Sequence, residues 1–179
     1  MRKPAAPNNT PRKVLITGAS RGIGRACALA FAKQGDSLAL AARSTEGLAE
    51  VAEACKALGA AEITCLPADL TLENAREACA NQTGTIDILV NNAGAIRGGG
   101  LFDMDLAEWR ESWELKVFGY IHLCQLYGQM MRAAKSGIIV NIIGIAGMDL
   151  RPDYICGSAG NAALIAFTKA LGAEMQKYD

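Results

Sequence analysis

The sequence predicts an α/β fold: a doubly wound parallel sheet covered by helices on both faces, three layers in all. Three observations lead there. Short apolar runs alternate with longer helix-periodic stretches along the chain, with no internal repeat and no interior linker. The apolar runs are nearly continuous, as strands buried on both faces are. The first of them, Val14-Leu15-Ile16, passes directly into Thr17-Gly18-Ala19-Ser20-Arg21-Gly22-Ile23-Gly24 and then into a small-residue run over 26–32. That is a strand, a glycine-rich turn and a helix in sequence.

The remaining elements follow in order. Gly35 stops the first helix, and residues 37–42 form a second strand. Leu48, Val51, Ala52, Cys55 and Leu58 recur at helical spacing, and Gly59 ends that helix. Residues 63–66 read as a third strand, 72–80 as a third helix and 86–90 as a fourth strand. A long helix is expected from about 106 to 134, a strand over 138–143, and a last helix over 162–175. Right-handed crossovers between parallel strands then give the doubly wound order.

A chain of 179 residues can bury the core of one domain. Eighteen basic and eighteen acidic residues cancel, so neither nucleic acid nor an anionic membrane is expected as a partner. Six cysteines, at 27, 55, 65, 79, 124 and 156, show no C-x-x-C spacing and mostly have apolar or alanine-rich neighbours. They read as reduced core thiols in a cytoplasmic protein. Residues 1–12 carry Pro4, Pro7, Pro11 and Asn8-Asn9 without an apolar core. They read as a flexible tail, neither signal peptide nor membrane span, ahead of one domain over 13–179.

The glycine turn has the chemistry of a phosphate cradle. Gly18 permits the sharp turn off the strand, Gly22 lets main chain approach a pyrophosphate, and Gly24 lets the helix pack closely. The free N–H groups and dipole of that helix face the anion. The spacing is T-G-x-x-x-G-x-G, and a second landmark accompanies it: the run over 84–90 ends in Asn91-Asn92-Ala93-Gly94. Together the two motifs resemble the classical short-chain dehydrogenase/reductase family, from Arg12 to the last residue. The resemblance implies a Rossmann-type sheet, a nicotinamide cofactor, and hydride transfer to or from a carbonyl carbon.

Cofactor contacts are expected from Gly18, Ser20, Arg21, Gly22, Ile23 and Gly24 in the cradle, and from Arg43 after the second strand. Family members that prefer NAD usually end that strand in an acidic residue, which accepts from the ribose hydroxyl; here Ala42 stands there. Two guanidiniums suit a 2′-phosphate, so NADP(H) is expected over NAD(H). The alternative is that Arg21 and Arg43 are ordinary solvated charges. The resemblance assigns Asp69, with Leu70 beside it, to the adenine end, while helix capping is the compatible alternative for Asp69. Asn91, Ala93 and Gly94 resemble the turn beside the adenine ribose that also stabilises the sheet. Asn161 completes the expected set.

The resemblance also locates four catalytic positions, and all four are changed. The long-helix segment Trp113–Gly119 carries Lys116 where an asparagine belongs. The strand exit over 140–147 carries Gly144 at the serine position. The run from Ala162 to Leu171 places Asn161 on the lysine and Gly157 on the tyrosine. Tyr154, three residues earlier, is the substitute the sequence offers as proton donor, with Lys116 supplying positive charge and Ser158 or Asn161 bonding the cofactor ribose. The competing assignments are a loop tyrosine and a surface lysine. His122 is expected in the core.

Two functions follow: an NADP(H)-dependent oxidoreductase acting on a small carbonyl or alcohol with rearranged catalytic residues, or a catalytically silent NADP(H)-binding sensor or assembly partner. A structural subunit with a relict cradle is the third reading, disfavoured by the intact turn. A homodimer or homotetramer is expected of the full-length protein. Family members continue past the last helix with further strands and a substrate-covering segment, so the chain reads as lacking its C-terminal strands and substrate loop, as a piece of a longer protein.

Overall fold

The computed structural model describes residues 10–178. The strands are β1 (Lys13–Thr17), β2 (Ser37–Ala42), β3 (Ile63–Pro67), β4 (Ile88–Asn91) and β5 (Ile138–Asn141). All pair in parallel, in the order β3-β2-β1-β4-β5, with Leu15 opposite Ala39 on one side and Leu89 on the other. The helices are α1 (Gly22–Ala32), α2 (Thr45–Ala57), α3 (Glu73–Thr83), α4 (Leu106–Trp113), α5 (Gly119–Ala134) and α6 (Ile155–Met175).

Strand alternation sorts the core into two halves. Val14 and Ile16 face one side with Leu38, Leu40 and Val90, where α1 and α2 cover them. Leu15, Ala39 and Leu89 face the other, against α3 and α5 through Cys79, Leu123 and Tyr127. The glycine stops behave as expected: Gly35 and Gly59 both adopt positive φ, at 79° and 101°.

Five details differ from the sequence expectation. The long helix is interrupted: Glu114–Phe118 forms a π turn between α4 and α5. The third helix extends to Thr83, and the fifth strand ends at Asn141 rather than 143. The last helix begins at Ile155, seven residues before the expected start, because Gly157 and Gly160 hide the helical pattern. Both are demanded by packing: a Cβ on Gly160 would lie 3.2 Å from Ile96, Trp113 and Val117. His122 is half-buried in a polar network, not apolar core, with its Nδ1 accepting from Arg76 Nε at 3.1 Å.

The expected tail lies outside the described residues up to Asn9. Its last residue, Arg12, is anchored, since the side chain grips both Asp36 oxygens at 3.0 and 2.6 Å. All six cysteines are free; four are buried, and burial pushes Cys124 up to about 12, which makes it an inert thiol. No helix among the described residues is long and apolar enough to cross a membrane. The outer edge of β5 is unpaired among the described residues, and Ile138 and Val140 are exposed there.

Candidate cofactor cleft and catalytic site

The C-terminal ends of β1, β2, β3 and β4 open into a cleft of about 640 Å³. At its centre the chain leaves β1 through Gly18, at φ 66°, and enters α1 through Gly22, at φ 57°. The two glycines and Gly24 have different reasons. A Cβ on Gly22 would meet nothing within 4 Å, so this glycine leaves the cleft floor bare main chain. A Cβ on Gly24 would collide with Gly18 O and the Asn92 side chain, so the first turn of α1 can seat only with glycine there. The first N–H groups of a helix have no partner within it, and here they open onto the cleft.

Thr17 welds the cradle to β4. Its hydroxyl accepts from the N–H groups of Asn92 and Ala93 at 2.9 and 3.0 Å, and donates to Val90 O. Asn92 returns the bond, its Nδ2 donating to Thr17 O at 2.9 Å. Asn92 lines the cleft with Ala93 and Gly94, whereas Asn91 does not. The Asn91 side chain is fully buried and donates to Asn141 Oδ1, and the main-chain carbonyl of Asn91 accepts from Ile142 N at 2.8 Å. Asn91 therefore ties β4 to β5, and Asn92 is the residue the motif reading missed. Its signal was alternation: in a strand buried at Asn91, the next residue points the other way.

One end of the cleft lies between β2 and β3. Ser20, Arg21 and Ile23 line it from the cradle, Arg43 from the end of β2, and Asp69 and Leu70 from beyond β3. Arg21 and Arg43 are exposed and form no ion pair among the described residues. Asp69 uses one oxygen, accepting from Thr71 N and Oγ1 at 3.1 and 2.8 Å. These bonds hold its carboxyl below the usual range, with Arg43 adding a smaller pull. Its other oxygen shows no hydrogen bond among the described residues, so the turn leaves it open toward the cleft. It does not cap α3, whose N-cap is Leu72. Ser44, also unanticipated, caps α2 by accepting from Gly47 N at 3.0 Å and lines the same end.

Beyond the exit of β5, Gly144, Tyr154, Gly157 and Asn161 come together. A Cβ on Gly157 would fall inside the Tyr154 ring, so that ring fills the volume of a side chain at 157. Asn161, 3% exposed, does not point into the cleft; its Oδ1 accepts from Gly144 N at 2.8 Å and its Nδ2 donates to Gly157 O at 2.7 Å. A direct hold on a cofactor ribose by this side chain is thus replaced by a clamp on two glycines. Ser158 is likewise buried, its Oγ accepting from Arg151 N at 3.1 Å to close the loop before Tyr154. Burial pushes the half-buried Tyr154 hydroxyl up, Cys156 adds to this, and a bond from Asn161 opposes it.

Lys116 stands in the π turn, where an extra residue per turn redirects its side chain. The ammonium donates to Ile142 O at 2.6 Å and Tyr120 Oη at 2.9 Å, and the stem lies over Gly94, where a Cβ would collide with it. Burial lowers its pKa from 10.5 to about 8. Tyr120, which sequence reading passed over, also donates to Ile142 O, and burial raises its pKa. No hydrogen bond joins Lys116 to Tyr154 among the described residues. Leu115, one residue earlier, lines the cleft.

A profile of the short chain dehydrogenase family matches residues 12–179. The chain is 36% identical over 174 residues to a 3-oxoacyl-[acyl-carrier-protein] reductase of Synechocystis, covering 93% of this chain and 69% of that protein. Its fold is similar to that of L-sorbose reductase from Gluconobacter frateurii, solved with NADPH and L-sorbose. There the TM-score is 0.89 and the identity 29%, over 94% of this chain and 66% of that one. A short chain dehydrogenase/reductase of Burkholderia phymatum, solved with NAD, gives 0.89 and 27%, over 94% and 62%. The chain thus spans about two-thirds of the length of these proteins.

Proposed function

The chain belongs to the short-chain dehydrogenase family, and from that premise we propose that it is an NADP(H)-dependent oxidoreductase with rearranged catalytic residues. Its substrate is a small carbonyl or alcohol compound. The observation that carries this reading is the Tyr154 ring in the volume of a side chain at 157. A phenol is thereby kept near the place the resemblance gives it, supplied from one helical turn earlier.

The residues present fit the cofactor. The bare main chain at Gly22 and the free amides of α1 suit a pyrophosphate. The guanidiniums of Arg21 and Arg43, unpaired among the described residues and with no carboxylate at Ala42, suit a 2′-phosphate better than a hydroxyl. When bound, the nicotinamide supplies the hydride. Tyr154 then holds the proton delivered to, or taken from, the substrate oxygen. Lys116 contributes a cation behind Gly94 of the cleft, and Asn161 fixes Gly144 and Gly157, the latter against the Tyr154 ring. Without a lysine beside it, and with burial raising its hydroxyl, Tyr154 is a slow proton carrier at neutral pH.

A second reading, a silent NADP(H)-binding protein, is favoured by the separate hydrogen bonding of Lys116 and Tyr154. Turnover measurements decide between them. With NADPH and a panel of ketones, Tyr154→Phe loses about a hundredfold or more in kcat while NADPH affinity stays within about twofold, the effect of removing a general acid. Full activity in Tyr154→Phe removes that residue as proton donor. Tight NADPH binding without turnover in the wild type leaves the silent reading. We further propose a homodimer or homotetramer for the full-length protein, checked by light scattering, and a cytoplasmic setting, which the six free thiols support.

A further inference from the structure

Arg76 lies in the first half of α3 with 3% of its surface exposed. Its Nη1 donates to the carbonyls of Leu70 and Thr71 at 2.8 and 3.1 Å, Nη2 to Glu114 Oε1 at 3.2 Å, and Nε to His122 Nδ1 at 3.1 Å. The acceptors sit on three separate pieces of the fold: the turn after β3, the first residue of the π turn, and α5. Gly119 keeps the junction open, since its Cβ would lie 3.3 Å from Glu114 O, 3.6 Å from Leu70 O and 3.7 Å from the guanidinium itself.

Stability does not account for this arginine. Its carboxylate partner, Glu114, is 44% exposed, and burying a guanidinium against so wet a partner is costly; an apolar side chain of like volume would serve the core as well or better. The group does offer a rigid planar fork that is never deprotonated and can hold several acceptors at fixed angles. Metal binding is no better explanation. Glu73, Glu77 and His122 bring ligand atoms within 4.8 Å of one another. With Nδ1 accepting from Arg76, however, neutral His122 carries its proton on Nε2, and a permanent cation stands beside any ion bound there.

What the three pieces share is the cleft. Leu70 and Leu115 both line it, and Lys116 follows Leu115 directly. We infer that Arg76 is a positioning residue that couples the adenine-side turn over 69–71 to the π turn, so that occupation of the adenine end tightens the seat of Lys116 against Ile142 O. This rests on reading the cleft as an NADP(H) site.

The probe is adenosine 2′,5′-bisphosphate, which fills the adenine end and carries no nicotinamide to touch Lys116. Acylation of Lys116 by acetic anhydride at about pH 8 is followed by mass spectrometry of its peptide. In the wild type, saturating bisphosphate slows labelling of Lys116 about fivefold, the low end of site-to-site coupling, and leaves exposed Lys135 unchanged. The effect disappears in Arg76→Met and in Glu114→Ala, the latter keeping the bonds to Leu70 and Thr71. Should Arg76→Met fail to fold, Glu114→Ala decides alone. Bisphosphate that binds without slowing Lys116, or slows it equally in the variants, overturns the coupling only. Bisphosphate that does not bind overturns the cofactor reading as well.

Discussion

Replacing Lys116 by methionine should change how the stability of the protein responds to alkali. The ammonium is held in a half-buried seat with two acceptors, and burial lowers its pKa from 10.5 to about 8. At ~1.4 kcal/mol per pH unit, keeping the amine charged costs the folded state about 3 kcal/mol at neutral pH. Relaxation and water entry reduce this, so at least about 1 kcal/mol is expected in practice. The sign follows from proton counting. Between about pH 8 and 10.5 the unfolded chain holds this proton more often than the folded one, so the lysine's contribution to stability rises with pH through that window. Below about pH 8 both states hold it and the penalty is constant. Other lysines, tyrosines and thiols titrate in the same range, but they are common to wild type and Lys116→Met. Urea unfolding of both proteins from pH 7 to about 10.5 therefore isolates the effect. The wild type should gain on the variant by at least about 1 kcal/mol as pH rises. Parallel curves, or a wild type that loses ground, would show that the amine is solvated and that the seat against Ile142 O does not constrain it.

Three further outcomes are expected. Arg43→Ala should weaken NADP(H) binding by about 1–3 kcal/mol, as loss of a charged hydrogen bond does, and leave NAD(H) unaltered; titration calorimetry showing equal losses for both would remove the 2′-phosphate argument. Gly24→Ala should destabilise by about 1–3 kcal/mol and loosen the cradle, because its methyl collides with Gly18 O and Asn92; a thermal melt unchanged from wild type would contradict the close approach. Gly157→Ala should expel the Tyr154 ring, seen as a changed near-ultraviolet tyrosine signal, whereas Gly22→Ala should leave that signal intact.

The parts of this fold legible in the sequence are those fixed locally. The five strands, the cradle glycines and the helix stops at Gly35 and Gly59 follow from runs and turn chemistry contained within a few residues. The parts missed depend on partners far along the chain. His122 reads as core from its apolar neighbours, yet it meets Arg76, 46 positions away. Asn161 reads as a cofactor contact by position, yet it finds Gly144, 17 residues earlier, and Gly157, one helical turn back. The π turn escaped because apolar spacing from Trp113 to Tyr127 does not register one inserted residue. The start of α6 escaped because a helix bearing Gly157 and Gly160 has poor intrinsic propensity, and only the surrounding side chains show why glycine stands there.

The interlock of Gly144, Tyr154, Gly157 and Asn161 also constrains how the chain can change. A serine at 144 would bring its Cβ to 3.1–3.3 Å from the Asn161 carboxamide. A tyrosine at 157 cannot enter while the ring of Tyr154 is there. A lysine at 161 would release Gly144 N and Gly157 O together. Each of these three substitutions therefore meets an obstacle set by another residue of the interlock. The effects of the separate substitutions should not add, since the residues are in direct contact. Change here, by selection or by design, runs through Gly144, Tyr154, Gly157 and Asn161 as one unit, with the first step alone a loss.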